Sequence, residues 1–206
     1  MTRLQVAVLA RAPVPGEAKT RLIPRLGADG AARLQAVLTA RALQRARDSG
    51  AEIVLWVAGD VQSLAPLAQR HGAALCAQPP GDLGVRMLAA FEHAHAAGRR
   101  CVVIGTDCPA QQPGDLQRAG MLLDDHDVVL QPALDGGYVL IALREPRARL
   151  FDDIAWGGAT VLAATRQRVQ SLSLRCVELP PLPDLDDAQD LQMALDNGWI
   201  AETDWN

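Results

Sequence analysis

The sequence predicts an α/β fold: a mostly parallel central sheet with one antiparallel hairpin and helices on both faces, in a single domain spanning residues 1–206. Three observations predict it. Strand-length apolar runs alternate with segments of helical period from one end of the chain to the other. The runs 4–9, 53–58 and 101–104 carry no charge, as strands covered on both faces do. The link Asp135-Gly136-Gly137 is too short for a crossover, so the strand patterns on either side of it are antiparallel neighbours.

The elements follow in chain order. Strand 4–9 runs into a loop holding Arg11, Lys19 and Arg21. Asp29 then caps a helix whose apolar stripe is Leu34, Val37, Leu38 and Ala42, and Gly50 stops it. Strand 53–58 ends at Gly59-Asp60, and a short helix over 63–71 leads to strand 74–77. Asp82 opens a helix with Met87, Leu88 and Phe91 turned inward, and Gly98 closes it. Strand 101–104 stops at Gly105-Thr106-Asp107-Cys108-Pro109; a helix over 114–123 and strand 128–130 follow. Beyond the hairpin strand 138–143 come a helix over 160–169, strand 174–179 and the stiff connector 180–183. A last helix, capped by Asp186 or Asp187, ends at Gly198. The connector is short enough to be a loop within one domain.

The totals exclude several classes of function. A net charge of −4, with arginines scattered among acids, argues against a nucleic-acid partner. Cys76, Cys101, Cys108 and Cys176 are far apart and form no C-x-x-C pair, which suits reduced thiols in a cytoplasmic protein. The first apolar run is too short for a signal segment or a membrane span. The oligomeric state is left open.

The chemistry gathers behind the strands. In an open α/β sheet, ligands bind at the carboxyl ends, where loops leaving the strands open a crevice. Arg11, Lys19 and Arg21 follow the first strand, Asp60 the second, Asp82 and Arg86 the third and Asp107 the fourth; Asp135 precedes the hairpin strand. The first loop is not a Walker A loop. No glycine precedes Lys19, and Pro13 and Pro15 remove amide donors that a phosphate nest needs. It is a stiff turn around Pro15-Gly16 that presents side chains, and an arginine fork beside a lysine point charge can grip a diphosphate or triphosphate.

Separate carboxylates near such a loop suit a nucleotide-bound Mg²⁺ or Mn²⁺, which takes oxygen ligands from one or two acids. Asp107 is the sharpest candidate, against the alternative of an aspartate that merely forms its own turn. Asp82 is either a helix cap or a neighbour of a phosphate or ribose. Among the aspartates at 184, 186, 187 and 190, which cap and face helix dipoles by default, one can complete a metal site. Trp156 is either a core aromatic at a turn or a platform for a base or sugar, with the core favoured. The four histidines share no ligand spacing.

Taken together, the motifs Arg11-Ala12-Pro13-Val14-Pro15-Gly16, Lys19-Thr20-Arg21-Leu22, Gly81-Asp82-Leu83-Gly84 with Arg86-Met87, Gly105-Thr106-Asp107-Cys108-Pro109, Asp135-Gly136-Gly137-Tyr138, Trp156-Gly157, and Asp184-Leu185-Asp186 with Asp190-Leu191 carry a resemblance. The chain resembles a bacterial family of glycosyltransferase-A-like (GT-A-like) proteins that includes enzymes assigned to arsenosugar biosynthesis. It is similar, more distantly, to the guanylyltransferases of molybdenum-cofactor and phospholactate pathways.

The resemblance implies a Rossmann-like nucleotide-diphosphosugar transferase fold. Asp107 would stand at the divalent metal, with Asp135 or Asp186 as its partner ligand, and Lys19 and Arg21 near the phosphates. Gly136, Gly137, Tyr138 and Trp156 are expected on the acceptor side. The chain departs from its relatives at Ala110-Gln111-Gln112, where a Gly-Leu-Thr type is usual, and at Gly158, where a threonine is usual. Both departures fall near the acceptor side that the resemblance implies.

The expected activity is metal-dependent transfer of a sugar from a nucleoside diphosphate to a small acceptor, with Asp107 and Asp135 catalytic. Two alternatives stand beside it: nucleotidyl transfer from a nucleoside triphosphate to a phosphorylated acceptor, and nucleotide binding without turnover.

Overall fold

The computed structural model describes residues 3–205. Its strands are β1 (Leu4–Arg11), β2 (Glu52–Ala58), β3 (Ala74–Ala77), β4 (Arg100–Ile104), β5 (Val128–Pro132), β6 (Tyr138–Leu143) and β7 (Cys176–Glu178). The helices are α1 (Ile23–Asp48), α2 (Ala65–His71), α3 (Leu83–Ala96), α4 (Pro113–Leu122), α5 (Val161–Ser171) and α6 (Ala188–Asp196). The strands form one sheet in the order β3-β2-β1-β4-β6-β5-β7. Only β6 runs against its neighbours, pairing antiparallel with both β4 and β5; all other pairs are parallel.

Side chains of β1 alternate between two cores, as the strand period of two requires. Val6, Val8 and Ala10 pack with Ala42, Leu43 and Ala46 of α1, Ala68 of α2, and Leu116 and Ala119 of α4. Ala7 lies on the other face with Met87, Ala90 and Phe91 of α3 and with Leu162 and Val169 of α5. Helices therefore cover both faces, and the uncharged strands are explained.

A third cluster lies beside the sheet. Leu22, Leu34 and Leu38 pack there against Leu185, Leu191, Ile200 and Trp205, fastening the C-terminal segment to α1.

Three details differ from the sequence reading. The first helix starts before Asp29 and is broken at Gly27 (φ 70, ψ 168), so Asp29 lies within it and does not cap it. Strand β7 is shorter than 174–179, because Leu174 N–H still donates to the Val169 carbonyl at the end of α5. The departure at residues 110–112 has a packing role. Buried Gln111 donates to Gln131 Oε1 (3.0 Å), and Gln131 donates to the Pro180 carbonyl (3.3 Å), tying the loop after β4 to β5 and the proline connector.

Among the described residues, no helix is long and apolar enough to cross a membrane. The four cysteines are free thiols.

The hairpin turn is held by backbone proximity. Leu162 N–H donates to the Gly136 carbonyl (2.9 Å), and a Cβ on Gly136 (φ +94) would stand 2.2 Å from the Ala159 carbonyl oxygen. Gly157 has a similar φ of +83 but open space around it. Gly136→Ala is therefore expected to destabilise the fold by about 3 kcal/mol or more in denaturant unfolding, against about 1 kcal/mol for Gly157→Ala. Equal losses would mean that backbone conformation, and not the approach of residue 159, sets the turn.

Candidate active site

The switch in strand order falls between β1 and β4: β2 and β3 lie to one side of β1, while β4 and the later strands lie to the other. Crevices open at such points. The register sets Val8 opposite Ile104 and Ile104 opposite Leu140, so Leu9 to Arg11 of β1, Gly105 to Asp107, and Tyr138 and Val139 of β6 extend past the pairing with β4 on one edge. A cleft of about 640 Å³ sits there, within the range of about 300–1,000 Å³ usual for small-ligand sites. Arg11, Glu17, Lys19, Arg21, Asp107 and Asp186 line its polar part, and Leu9, Leu83, Met87 and Val103 its apolar part.

The loop from β1 to α1 is anchored by Ala18 and Leu22, both fully buried. Lys19, between them, takes the left-handed conformation (φ 48, ψ 45) and turns its side chain inward, leaving it 5% exposed. Its ammonium lies 2.9 Å from Asp107 Oδ1 and 3.5 Å from Asp186 Oδ1, and it donates to the Leu185 carbonyl. Lys19 and Asp107 therefore share one pocket as a direct ion pair. Arg21 is mostly exposed and stands 3.8 Å from Asp186 Oδ2. Arg11 reaches the cleft from the end of β1.

Asp107 is oriented from below. The Thr106 hydroxyl donates to Asp107 Oδ1 (2.8 Å), and Gln35 of α1 donates to that hydroxyl (3.1 Å); both residues are 4% exposed. The backbone of Asp107 accepts from Leu185 N–H at 2.7 Å.

A smaller chamber of about 180 Å³ adjoins the cleft, and Gly105, Asp107, Tyr138, Val139 and Asp186 border both. Its remaining walls come from Cys108, from the β5–β6 turn, with Ala133, Asp135 and Gly137, and from Asp184 after β7. Asp135, Asp184 and Asp186 can each offer an oxygen within 4.8 Å of the others, an arrangement suited to a hard cation. Burial, with Asp135 and then Asp186 nearby, pushes the Asp184 carboxyl up to about 6. Asp135 Oδ1 accepts from Gly137 N–H (2.8 Å), which fixes the carboxylate at the chamber wall.

Other expected site residues make the following contacts. Asp60 and Asp82 cap helical turns, accepting from Gln62 N–H and Val85 N–H (3.0 Å each), and neither lines the cleft or the chamber. Arg86 donates to the Gly81 carbonyl (3.1 Å) and Gln78 Oε1 (3.5 Å), bracing the turn before α3. Pro15 and Gly16 shape the loop from outside the cleft. Gly136 is required by the approach of residue 159, and Gly137 and Tyr138 face the chamber. Burial raises the Tyr138 phenol, whose hydroxyl stands 4.0 Å from Met87 Sδ.

Trp156 lines neither cavity: its ring lies on Gly84, where a Cβ would come within 2.8 Å, and beside Phe151 at 6.3 Å. Gly158 likewise lines neither cavity.

Sequence reasoning missed Gln35, Thr106 and the particular weight of Asp184. Gln35 and Thr39 are polar residues at i, i+4 spacing beside the apolar positions Leu34 and Leu38, a signal that a buried polar pair was needed. Asp184 and Asp186 flank a leucine that is 1% exposed, the period-two pattern of an extended segment with acids on one side.

The model of the bacterial family described as "Uncharacterized protein conserved in bacteria (DUF2064)" matches residues 22–158. The chain belongs to this family. The stretch common to DUF2064 includes Gln35, Asp107 and Asp135, while Lys19, Asp184 and Asp186 lie outside it.

No curated protein matches the sequence. Among solved structures, a protein from Desulfovibrio desulfuricans G20, provisionally named a nucleotide-diphospho-sugar transferase, is 29% identical with a TM-score of 0.88, over 98% of this chain and 90% of that one. Rv0371c from Mycobacterium tuberculosis H37Rv, solved as a manganese complex, is 19% identical with a TM-score of 0.57, over 95% of this chain and 99% of its own. A nucleotidyl transferase from Methanothermobacter thermautotrophicus (Mth528) is 16% identical with a TM-score of 0.61, over 95% and 97%. The DUF2064 chain thus has the α/β fold of nucleotide-diphosphosugar transferases and nucleotidyltransferases.

The raised carboxyl gives a test of the burial of Asp184 beside like charges. A carboxyl raised in the folded state favours folding while protonated, so the contribution of Asp184 is complete below its ordinary value of 3.8 and is lost as pH rises through about 6. With chelator present, Asp184→Asn is expected to melt above the wild type at about pH 8, the two curves converging towards about pH 4. A variant less stable at the higher pH would show that Asp184 is well paired and not crowded by like charge.

Proposed function

We propose that this protein is a divalent-cation-dependent transferase that moves a sugar from a nucleoside diphosphate to a small acceptor. One observation carries the reading: cations and carboxylates from segments remote in sequence meet in one cleft at the sheet's switch point. The D. desulfuricans relative's name supports it. The apolar part of the cleft, with Leu9, Leu83 and Met87, suits a nucleoside, and the polar part suits its phosphates. A cytoplasmic enzyme acting on small molecules, without nucleic acid, completes the proposal.

The residues fit Mg²⁺ or Mn²⁺. Asp107 and Asp186, on the wall shared by cleft and chamber, and Asp135 and Asp184, on the chamber side, offer hard oxygens. Asp107 and Asp186 are the proposed ligands, and a bound cation would offset the negative charge that develops on the leaving diphosphate. Arg11, Lys19 and Arg21 bind the phosphates and add to that stabilisation in a half-enclosed site. Asp135, fixed by Gly137 N–H, takes the acceptor hydroxyl proton if the reaction inverts configuration. An acceptor of arsenosugar type, implied by the resemblance, is the first class to try.

The second reading, nucleotidyl transfer from a nucleoside triphosphate, is supported by the fold shared with the Methanothermobacter enzyme. The same cations would serve it, so products decide. Incubation with a panel of sugar nucleotides and nucleoside triphosphates, with Mn²⁺, is expected to release a nucleoside diphosphate from one sugar nucleotide. Pyrophosphate from a triphosphate would establish the second reading instead. A ligand-induced rise in Tm without turnover of any donor would leave a binding protein. Asp107→Asn is expected to weaken cation-dependent nucleotide binding by calorimetry by about tenfold or more. Unchanged binding would remove Asp107 from the cation.

A further inference from the structure

Of the 20 cationic Lys and Arg side chains in this sequence, one is lysine, and it is Lys19. Its placement is equally singular. The ammonium sits among Asp107 Oδ1, Asp186 Oδ1 and the Leu185 carbonyl oxygen, on a side chain 5% exposed. Three oxygens around one compact positive charge are how a protein holds a metal ion. A guanidinium, a flat fork that spreads its charge over five donors, cannot occupy such a position in the same way.

We infer that Lys19 is the resident cation of the Asp107–Asp186 pair, and that a divalent ion enters by displacing its ammonium into the cleft, where it meets the nucleotide phosphates. This rests on the proposed role of the two aspartates as cation ligands. An ion bound to Asp107 Oδ1 and Asp186 Oδ1 would share oxygens that the ammonium now holds at 2.9 and 3.5 Å, and two positive charges so close repel strongly in a half-buried site. The exchange has an open route: both carboxylates are 43% exposed, and Lys19 already borders the cleft together with Arg11, Thr20 and Arg21.

Exchange makes cation and nucleotide binding mutually dependent. In the free protein the ion must expel an ammonium that has nowhere equally favourable to go, so it binds weakly. A phosphate in the cleft offers the ammonium a new partner, and by linkage each ligand then favours the other. Lys19 would neutralise the carboxylates while the site is idle and the phosphates once it is loaded, sparing the fold an uncompensated pair of half-buried acids.

The single lysine makes the test clean. Mn²⁺ binding to the nucleotide-free protein can be followed by the electron paramagnetic resonance signal of the free ion, with Lys19→Met beside the wild type. The variant is expected to bind Mn²⁺ about tenfold or more tightly. In the wild type, acetylation of Lys19 by an N-hydroxysuccinimide ester, read by peptide mass spectrometry, is expected to be slow and to accelerate several-fold as Mn²⁺ saturates the site. Labelling of the wild type decides the matter alone if the variant does not fold.

Equal Mn²⁺ affinities together with labelling indifferent to Mn²⁺ would overturn the exchange while leaving the cation site in place. Absence of Mn²⁺ binding to either protein, with normal melting, would overturn the cation reading and the exchange with it.

Discussion

The contact between Lys19 and the oxygens of Asp107, Leu185 and Asp186 joins three segments that the chain separates widely: the loop after β1, the end of β4 and the segment before α6. A lysine this buried is costly unless its charge is matched and its donors are used. Here the ammonium donates to the Leu185 carbonyl and pairs with two carboxylates. Leu185 supplies the complementary apolar anchor, since burying a leucine contributes about 1.5–3 kcal/mol and its backbone amide at the same time holds Asp107. Charge and packing therefore fix the same few atoms, and the edges of the cleft follow from where those atoms are held.

The reversal of one strand decides what the cleft contains. Were β6 parallel, its amino end would lie at the opposite edge of the sheet, and the residues preceding it would be remote from Asp107. Because it runs antiparallel to β4, the turn holding Asp135 and Gly137 arrives beside Gly105 and Asp107. The β5–β6 link can be short for the same reason. Gly136 then lets the 155–160 segment close over the turn from outside, where Trp156 and Phe151 lie against α3.

The sheet, its two helical layers and the antiparallel hairpin were legible in the sequence because uncharged runs and their punctuation are local signals. The clustering of Lys19, Asp107, Asp135 and Asp186 was legible in outline, since all but Asp186 follow or precede a recognisable strand end and the sheet brings those ends together. Direct pairing of Lys19 with Asp107 was not, because it depends on the left-handed turn at Lys19 and on the burial of Leu185, which no local pattern announces. Asp60, Asp82 and Arg86 also follow strands, yet those strands, β2 and β3, lie away from the switch point. Residues after strands are candidates in proportion to their nearness to that point, and strand order is a tertiary property.

The distribution of charge restricts what can fill both cavities at once. The cleft is lined by Arg11, Lys19 and Arg21 together with Glu17, Asp107 and Asp186, so an anionic ligand finds three cations there. The adjoining chamber has no cationic side chain on its walls and four carboxylates, one of them already pushed towards protonation near neutral pH. A phosphate advancing from the cleft into that chamber would be repelled unless positive charge travelled with it or waited there. A neutral sugar or polyol would meet no such barrier, and its hydroxyls would find acceptors in the carboxylates. Lys19, or a cation held by Asp107 and Asp186, would supply that charge at the boundary itself, so the phosphates of a donor are matched there and an uncharged group beyond it. A nucleotide sugar has that change of character at its glycosidic phosphate oxygen, and this is the physical ground for ranking sugar transfer ahead of transfer to a phosphorylated acceptor.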